Sequence, residues 1–204
     1  MNTMRIILFW IISFITEISY SADILEGHTL TEVKIQGKPQ KSGELRQSGN
    51  KIKYIDWNFS EYTGKALTIL HLSARPATEN SIKTLIDALR NSNDKFDKTK
   101  YTTINILNTD DIPFDFIGKF FGESRAVDKY EEDFIKQRTQ SVFVVDDDSK
   151  AKKSWHLKEN GNAIILLNKN KEVVFFKDAK EGEILLDNDK SEKYINKTLE
   201  IIGE

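Results

Sequence analysis

Arg75, Pro76, Ala77 and Thr78 sit between an apolar run, "KALTILHLSA", and a helix-like stretch, "TENSIKTLIDALR". A strand-to-helix turn of this kind offers free backbone N–H groups and the positive end of a helix dipole. Arg75 adds a full positive charge beside it, so the corner suits a carboxylate, a phosphate or an acidic side chain. Two occupants are open: a ligand or partner group, or a neighbouring aspartate of the same chain such as Asp110. The candidate recognition residues are Arg75, Thr78, Asp110 and Asp111, and a catalytic version would set Arg75 against the Asp110 and Asp111 carboxylates.

Five carboxylates follow predicted strand ends, Asp110 and Asp111 in "NTDDIP" and Asp146 to Asp148 in "VVDDDS". Parallel strands would gather them at one sheet edge, where open α/β folds bind ligands. Oxygen clusters of this sort suit Ca²⁺ or Mg²⁺, but Asp and Ser at such places also cap helices and close turns. "DDDSK" lacks the glycine and the distal glutamate of an EF-hand loop, so no metal ligand is assigned. Ser124, Asp146 and His156 follow the chain order of an α/β-hydrolase triad, but "GESRA" is preceded by helical spacing rather than the strand a nucleophile elbow needs. No catalytic residue and no cofactor are assigned either. His71 lies inside an apolar strand pattern, where a hydrogen-bonded core histidine is expected. Phe114, Phe116, Phe120, Phe121, Tyr130 and Phe134 read as core packing, with a protruding partner patch as the alternative.

The elements that must hold these residues follow from periodicity. Ile82, Leu85, Ile86 and Leu89 form a helical stripe behind the first buried strand, with Thr78 or Asn80 as its cap. "YTTINIL" and "SVFVV" are two more buried strands, separated by the aromatic-rich helix "FDFIGKFFGESRAVDKYEEDFIKQ". "KAKKSWHL" is a short helix, "NAIILLNKNKEVVFFKDA" a hairpin turning at 168–171, and "DKSEKYINKTLEII" a closing helix. Ahead of all these, "LTEVKI" and "KIKYIDW" look like short strands around the turn-rich "QGKPQKSGEL".

Export is expected from the first 21 residues. Arg5 precedes the apolar run Ile6–Ile15, and Ser19 and Ser21 stand at the small-residue positions of a cleavage site. Glu17 ends the run well short of the roughly 20 residues a spanning helix needs. The expected organisation is a signal peptide, 1–21, and one domain, 22–204, with no membrane span after cleavage. The net charge of −2 gives no basis for a nucleic-acid partner. The chain has no cysteine, which removes thiol redox chemistry and leaves stability to apolar burial.

"GKALTILHLSAR", "YTTINILNTDDIP" and "VVDDDSKAKKSWHLKENGNAIILLNKNKEVVFFKDA" resemble the YtfJ family of exported bacterial proteins over about residues 29–179. The resemblance implies a periplasmic α/β domain, a thioredoxin-like three-layer sandwich. Its sheet would be mixed and mostly parallel, with helices on both faces and an inserted strand and helix before the final β-hairpin. It implies no activity and carries no functional residues over. It also gives the opening corner a meaning. Redox relatives in that superfamily hold their C-x-x-C pair where this chain has Arg75, Pro76, Ala77 and Thr78. They also place a cis-proline ahead of the hairpin, where this chain has "ENGNA"; its three prolines are Pro39, Pro76 and Pro113. The expected function is therefore a non-catalytic binding or accessory protein of the cell envelope, its partner a periplasmic protein or a small anionic ligand. The alternative is an enzyme that uses non-thiol polar groups on the same scaffold.

Overall fold

Ala66 to Ser73 is apolar at nearly every position, and all eight residues are buried, as expected for a central strand covered on both faces. The structure, a computed structural model, describes residues 24–39, 41–111, 116–137 and 141–203, with the backbone alone for 116–124. Residues 1–21, Phe114 and the side chains of Phe116, Phe120, Phe121 and Ser124 lie outside that description. The elements are β1 (Lys34–Ile35), β2 (Gly43–Ser48), β3 (Lys51–Ile55), β4 (Trp57–Asn58), β5 (Ala66–Ser73), α1 (Thr78–Asn91), β6 (Tyr101–Asn108), α2 (Phe116–Gln137), β7 (Ser141–Asp146), α3 (Lys150–Ser154), β8 (Asn162–Leu167), β9 (Val173–Ala179) and α4 (Asn188–Gly203).

The main sheet has the order β3-β2-β7-β6-β5-β8-β9. Its three central strands, β7, β6 and β5, run parallel, and both flanks are antiparallel. The parallel part is smaller than expected because "GELRQS", which begins inside the turn-rich segment, is a strand. This β2 enters between β3 and β7, with Glu44 opposite both Ile55 and Val144. "LTEVKI" contributes only β1, which pairs with β4 in a separate two-stranded ribbon. "KIKYIDW" divides between β3 and β4, and the Asp56 carboxylate between them accepts a bond from the Gly37 N–H at 2.8 Å.

The step from β5 to β6 to β7 keeps one direction, so right-handed crossovers put α1 and α2 on the same face. Leu85 of α1, Val127, Tyr130 and Phe134 of α2, and Tyr194 and Ile202 of α4 pack there against Leu70, Phe143 and Val145. Tyr130 and Phe134 are core residues, their rings 5.1 and 5.8 Å from that of Phe143. On the other face α3 is short, and the cover is completed by Leu30, Val33, Ile35, Trp57 and Phe59 around Trp155. The Trp155 indole donates to the Thr31 carbonyl at 2.8 Å, tying this N-terminal cover to the chain beyond α3. The hairpin turns as expected, with the Lys171 N–H bonded to the Asn168 carbonyl. Among the described residues no helix is long and apolar enough to cross a membrane.

Candidate functional site

Register alone brings the predicted residues together. Ser73, Asn108 and Asp146 end β5, β6 and β7 as side-by-side partners. The segments that follow, 74–78, 109–111 and 147–149, therefore emerge from one edge of the sheet. The carboxylates do converge there, and each is engaged by a neighbour.

Arg75 lies inside this edge rather than above it, its side chain 19% exposed. Its Nε donates to the Asp111 carbonyl at 2.8 Å, and its Nη1 to Glu181 Oε2 at 2.9 Å. The acid that meets Arg75 side chain to side chain is thus Glu181, on the connection from β9 to α4, and Asp111 meets it through the backbone. Thr78 caps no helix. The N-cap position of α1 is Ala77, which makes no side-chain cap bond, and the Thr78 hydroxyl donates back to the Ser73 carbonyl at 2.7 Å. Its position is set from the other side by Asn162, whose Oδ1 accepts the Ser73 N–H at 3.0 Å and lies 3.3 Å from Thr78 Oγ1. Asn162 belongs to the "ENGNA" stretch, so the two segments that stand where a redox relative keeps its thiols and its cis-proline are joined by hydrogen bonds. Among the described residues every peptide bond is trans.

Asp111 is the centre of the edge. While its carbonyl binds Arg75, its side chain, 1% exposed, receives the Lys152 ammonium at 2.6 Å. Lys152 also reaches Glu159 at 2.7 Å. Burial alone would lower this ammonium, but the hydrogen bonds and charges of Asp111 and Glu159 outweigh it and leave it above the usual lysine value. Asp110 lies one residue back, with its N–H on Asn108 Oδ1 and its Oδ2 3.1 Å from the Ser149 hydroxyl. Asp146 accepts the N–H groups of Lys150 and Ala151 at 3.0 and 2.8 Å, and so caps α3. Its burial raises its pKa, and those two bonds hold the rise back. Asp147 and Asp148 both hold Lys38, at 3.0 and 2.8 Å. Among the described residues, no three carboxylates or imidazoles are placed to hold a metal ion.

His156 is exposed beyond α3, and no hydrogen bond joins it to Asp146. His71 is buried as expected, but the expected hydrogen bonds are missing: neither ring nitrogen has a partner. Burial, and then the charge of Lys152, push it down to about 3, so the imidazole is neutral at neutral pH. It joins Ser73 Oγ, Asn108 Nδ2 and Asp111 Oδ2 as buried polar atoms without partners on β5, β6 and the loop after β6. Sequence reasoning missed Lys152, Glu181 and Asn162. "KAKKSW" offers three similar lysines, and nothing in spacing marks the middle one as buried. Glu181 lies in a run of turn residues 106 positions from Arg75. Asn162, the first residue of the hairpin, had the one usable signal, because the superfamily keeps a corner-facing residue there.

The pattern of the family described as "Bacterial protein of unknown function (YtfJ_HI0045)" matches residues 24–198. A relative from Haemophilus influenzae is 30% identical over 143 residues, 70% of this chain and 73% of the relative. The protein YtfJ of Escherichia coli K12 is 31% identical over 137 residues, 67% and 69% of the two chains. Among solved structures, a thiol peroxidase from Chromobacterium violaceum superposes with a TM-score of 0.54 at 12% identity, covering 86% of this chain and 88% of that one. A secreted thiol-disulfide isomerase from Corynebacterium glutamicum gives 0.52 at 9% identity, covering 86% of each. At such identities the likeness is one of fold, and the fold is thioredoxin-like.

Proposed function

The chain belongs to the YtfJ family, and from that premise we propose that it is an exported, non-catalytic binding or accessory protein of the cell envelope. In this reading the thiol corner of a thioredoxin-like fold has become a structural lock. The observation that supports it is the commitment of Arg75, whose guanidinium is bonded to the Asp111 backbone and to Glu181. Of the two kinds of occupant, groups of the chain itself are the ones that meet the Arg75 guanidinium, which favours the internal version. The enzyme alternative needs Arg75 and the Asp110 and Asp111 carboxylates to converge on an open space. Here the Asp111 carboxylate faces inward to Lys152, and Asp110 is met by Ser149. Chemistry on a substrate would first have to break these contacts.

The test compares wild type with Arg75→Ala in two measurements, thermal unfolding and capture of partners from a periplasmic extract. A lock predicts a lower melting temperature with the same captured proteins in the surviving folded fraction. An unchanged melting temperature with a lost partner would make the corner a recognition site instead. Substrate turnover by wild type that Arg75→Ala abolishes would favour the enzyme.

A further inference from the structure

At the opposite end of the same parallel strands lies a groove that the Arg75 corner does not involve. It runs between the C-terminal ends of α1 and α2, over the start of β6, with a volume of about 270 Å³. This is just below the range of drug-sized ligand sites, ~300 to 1,000 Å³, and suits a smaller molecule. One part of its floor is apolar, with Leu70, Phe96 and Tyr101 buried beneath it and Ile86 and Leu89 half-buried along it, and the rest is lined by uncharged polar side chains such as Thr103 and Asn105. The Phe96 and Tyr101 rings are 4.8 Å apart, which makes that part of the floor stiff and aromatic.

The rim is charged in one sense only. Among the described residues, Lys65, Arg90 and Lys98 belong to the lining and no carboxylate does. No ion pair among the described residues engages these three cations; Lys65 donates to the Lys98 carbonyl at 3.3 Å, which brings two of them together. Carboxylates on the neighbouring segments have hydrogen-bond partners of their own. Asp87 takes Lys83 at 2.7 Å while also feeling the charge of Arg90, and Asp97 takes the N–H and hydroxyl of Thr99. The C-terminal ends of two helices face the groove, each equivalent to about half a negative charge. Three full positive charges exceed that sum, so the rim stays cationic in a chain whose net charge is −2.

We propose that this groove binds a small amphipathic carboxylate, its apolar body on Leu89, Phe96 and Tyr101 and its charged head among Lys65, Arg90 and Lys98. An apolar floor of this volume admits a short chain or a single ring, and the rim selects the sign of the head group. A purely inorganic anion would leave the floor unused, and a cation of the same shape would meet repulsion.

Octanoate is the probe, with n-octylamine and acetate as controls matched for shape and for charge. Titration followed by NMR is expected to show octanoate shifting the resonances of Leu89 and Tyr101, n-octylamine leaving them in place, and acetate binding at least tenfold more weakly. The double variant Arg90→Glu, Lys98→Glu changes exposed side chains, so it is expected to keep its melting temperature and to weaken octanoate at least tenfold. Raising the salt concentration is expected to weaken the wild-type complex in the same direction. Equal binding of n-octylamine and octanoate would overturn the proposal, as would octanoate affinity unchanged in the folded double variant, or no shift at millimolar octanoate. These readouts do not involve Arg75, so the groove and the corner stand or fall separately.

Discussion

Two single residues decide most of what the edge of the sheet can do. Arg75, mostly buried and bonded on two sides, acts as a tie between the loop after β6 and the connection after β9. Its removal should cost about 0.5–3 kcal/mol, nearer the upper figure if the Asp111 carbonyl is left dry and nearer the lower if water replaces the guanidinium. Glu181, 39% exposed, contributes the smaller share of that sum. His71 makes the stability of the chain depend on pH in a predictable direction. Its folded pKa, about 3, lies below the ordinary value of about 6.5, so the unfolded chain binds the proton more readily. The contribution is intact above about pH 6.5 and is lost as the pH falls toward 3. Between pH 7.5 and 4.5 the urea stability of wild type should fall by about 2–3 kcal/mol more than that of His71→Leu, at 1.36 kcal/mol per pH unit below the unfolded value. Equal falls in the two proteins would mean that His71 is solvated in the folded state.

At the scale of elements, the least expected feature is β2, inserted against β7 from a segment rich in turn residues. Glycine makes the insertion possible. Gly43 has φ +110, and a Cβ built there would collide with the Ile55 carbonyl oxygen and lie 2.7 Å from the Gly37 Cα. Both neighbours are backbone, so relief requires moving β3 or the chain that leads into β2. Gly43→Ala should therefore destabilise by at least ~1–3 kcal/mol through backbone strain alone, before the collision is counted. Chemical denaturation measures the loss, and hydrogen exchange should locate it in β2 and β3 rather than in β5. A variant as stable as wild type would show that β2 can shift without cost. The same segment explains why the flank was illegible. Alternation over Glu44, Leu45 and Arg46 is too short to outweigh Gly37, Pro39 and Gly43, and the pairing partners of β2 come from Lys51–Ile55 nearby and from Val144 and Val145 about a hundred residues on.

At the scale of the molecule, two unequal covers close over one sheet. Three helices shield one face, and an N-terminal ribbon with α3 shields the other. The N-terminal cover is already in place by Ile24, which packs against the second face. N-terminal sequencing of protein recovered from the periplasm should begin at Ala22 or Asp23, and a chain that kept Met1 to Phe14 in the membrane fraction would refute the proposed export. The Asp111–Lys152 pair has a role at this scale too. It joins the loop after β6 to α3, and with Arg75 and Glu181 it fastens four separate stretches of chain along the edge where a redox relative would be open.

The residues themselves determined the central strands, the helices between them, the hairpin and the absence of any thiol. Each of these depends on local periodicity or on a residue type, both of which are written along the chain. The apolar stripe of α1 is one such signal: Ile82, Leu85, Ile86 and Leu89 repeat as a helix must, whatever surrounds them. The choice of Glu181 and the Asp111 carbonyl as the partners of Arg75 was not written there, nor was the burial of Lys152 among its neighbours. Those depend on which loops meet once β5, β6 and β7 lie side by side, and the register of Ser73, Asn108 and Asp146 fixes that meeting. An isolated arginine beside a helix start is an invitation to any anion within reach. Only the folded chain, by bringing its own carboxylate and carbonyl to hydrogen-bond distance, decided which one accepted.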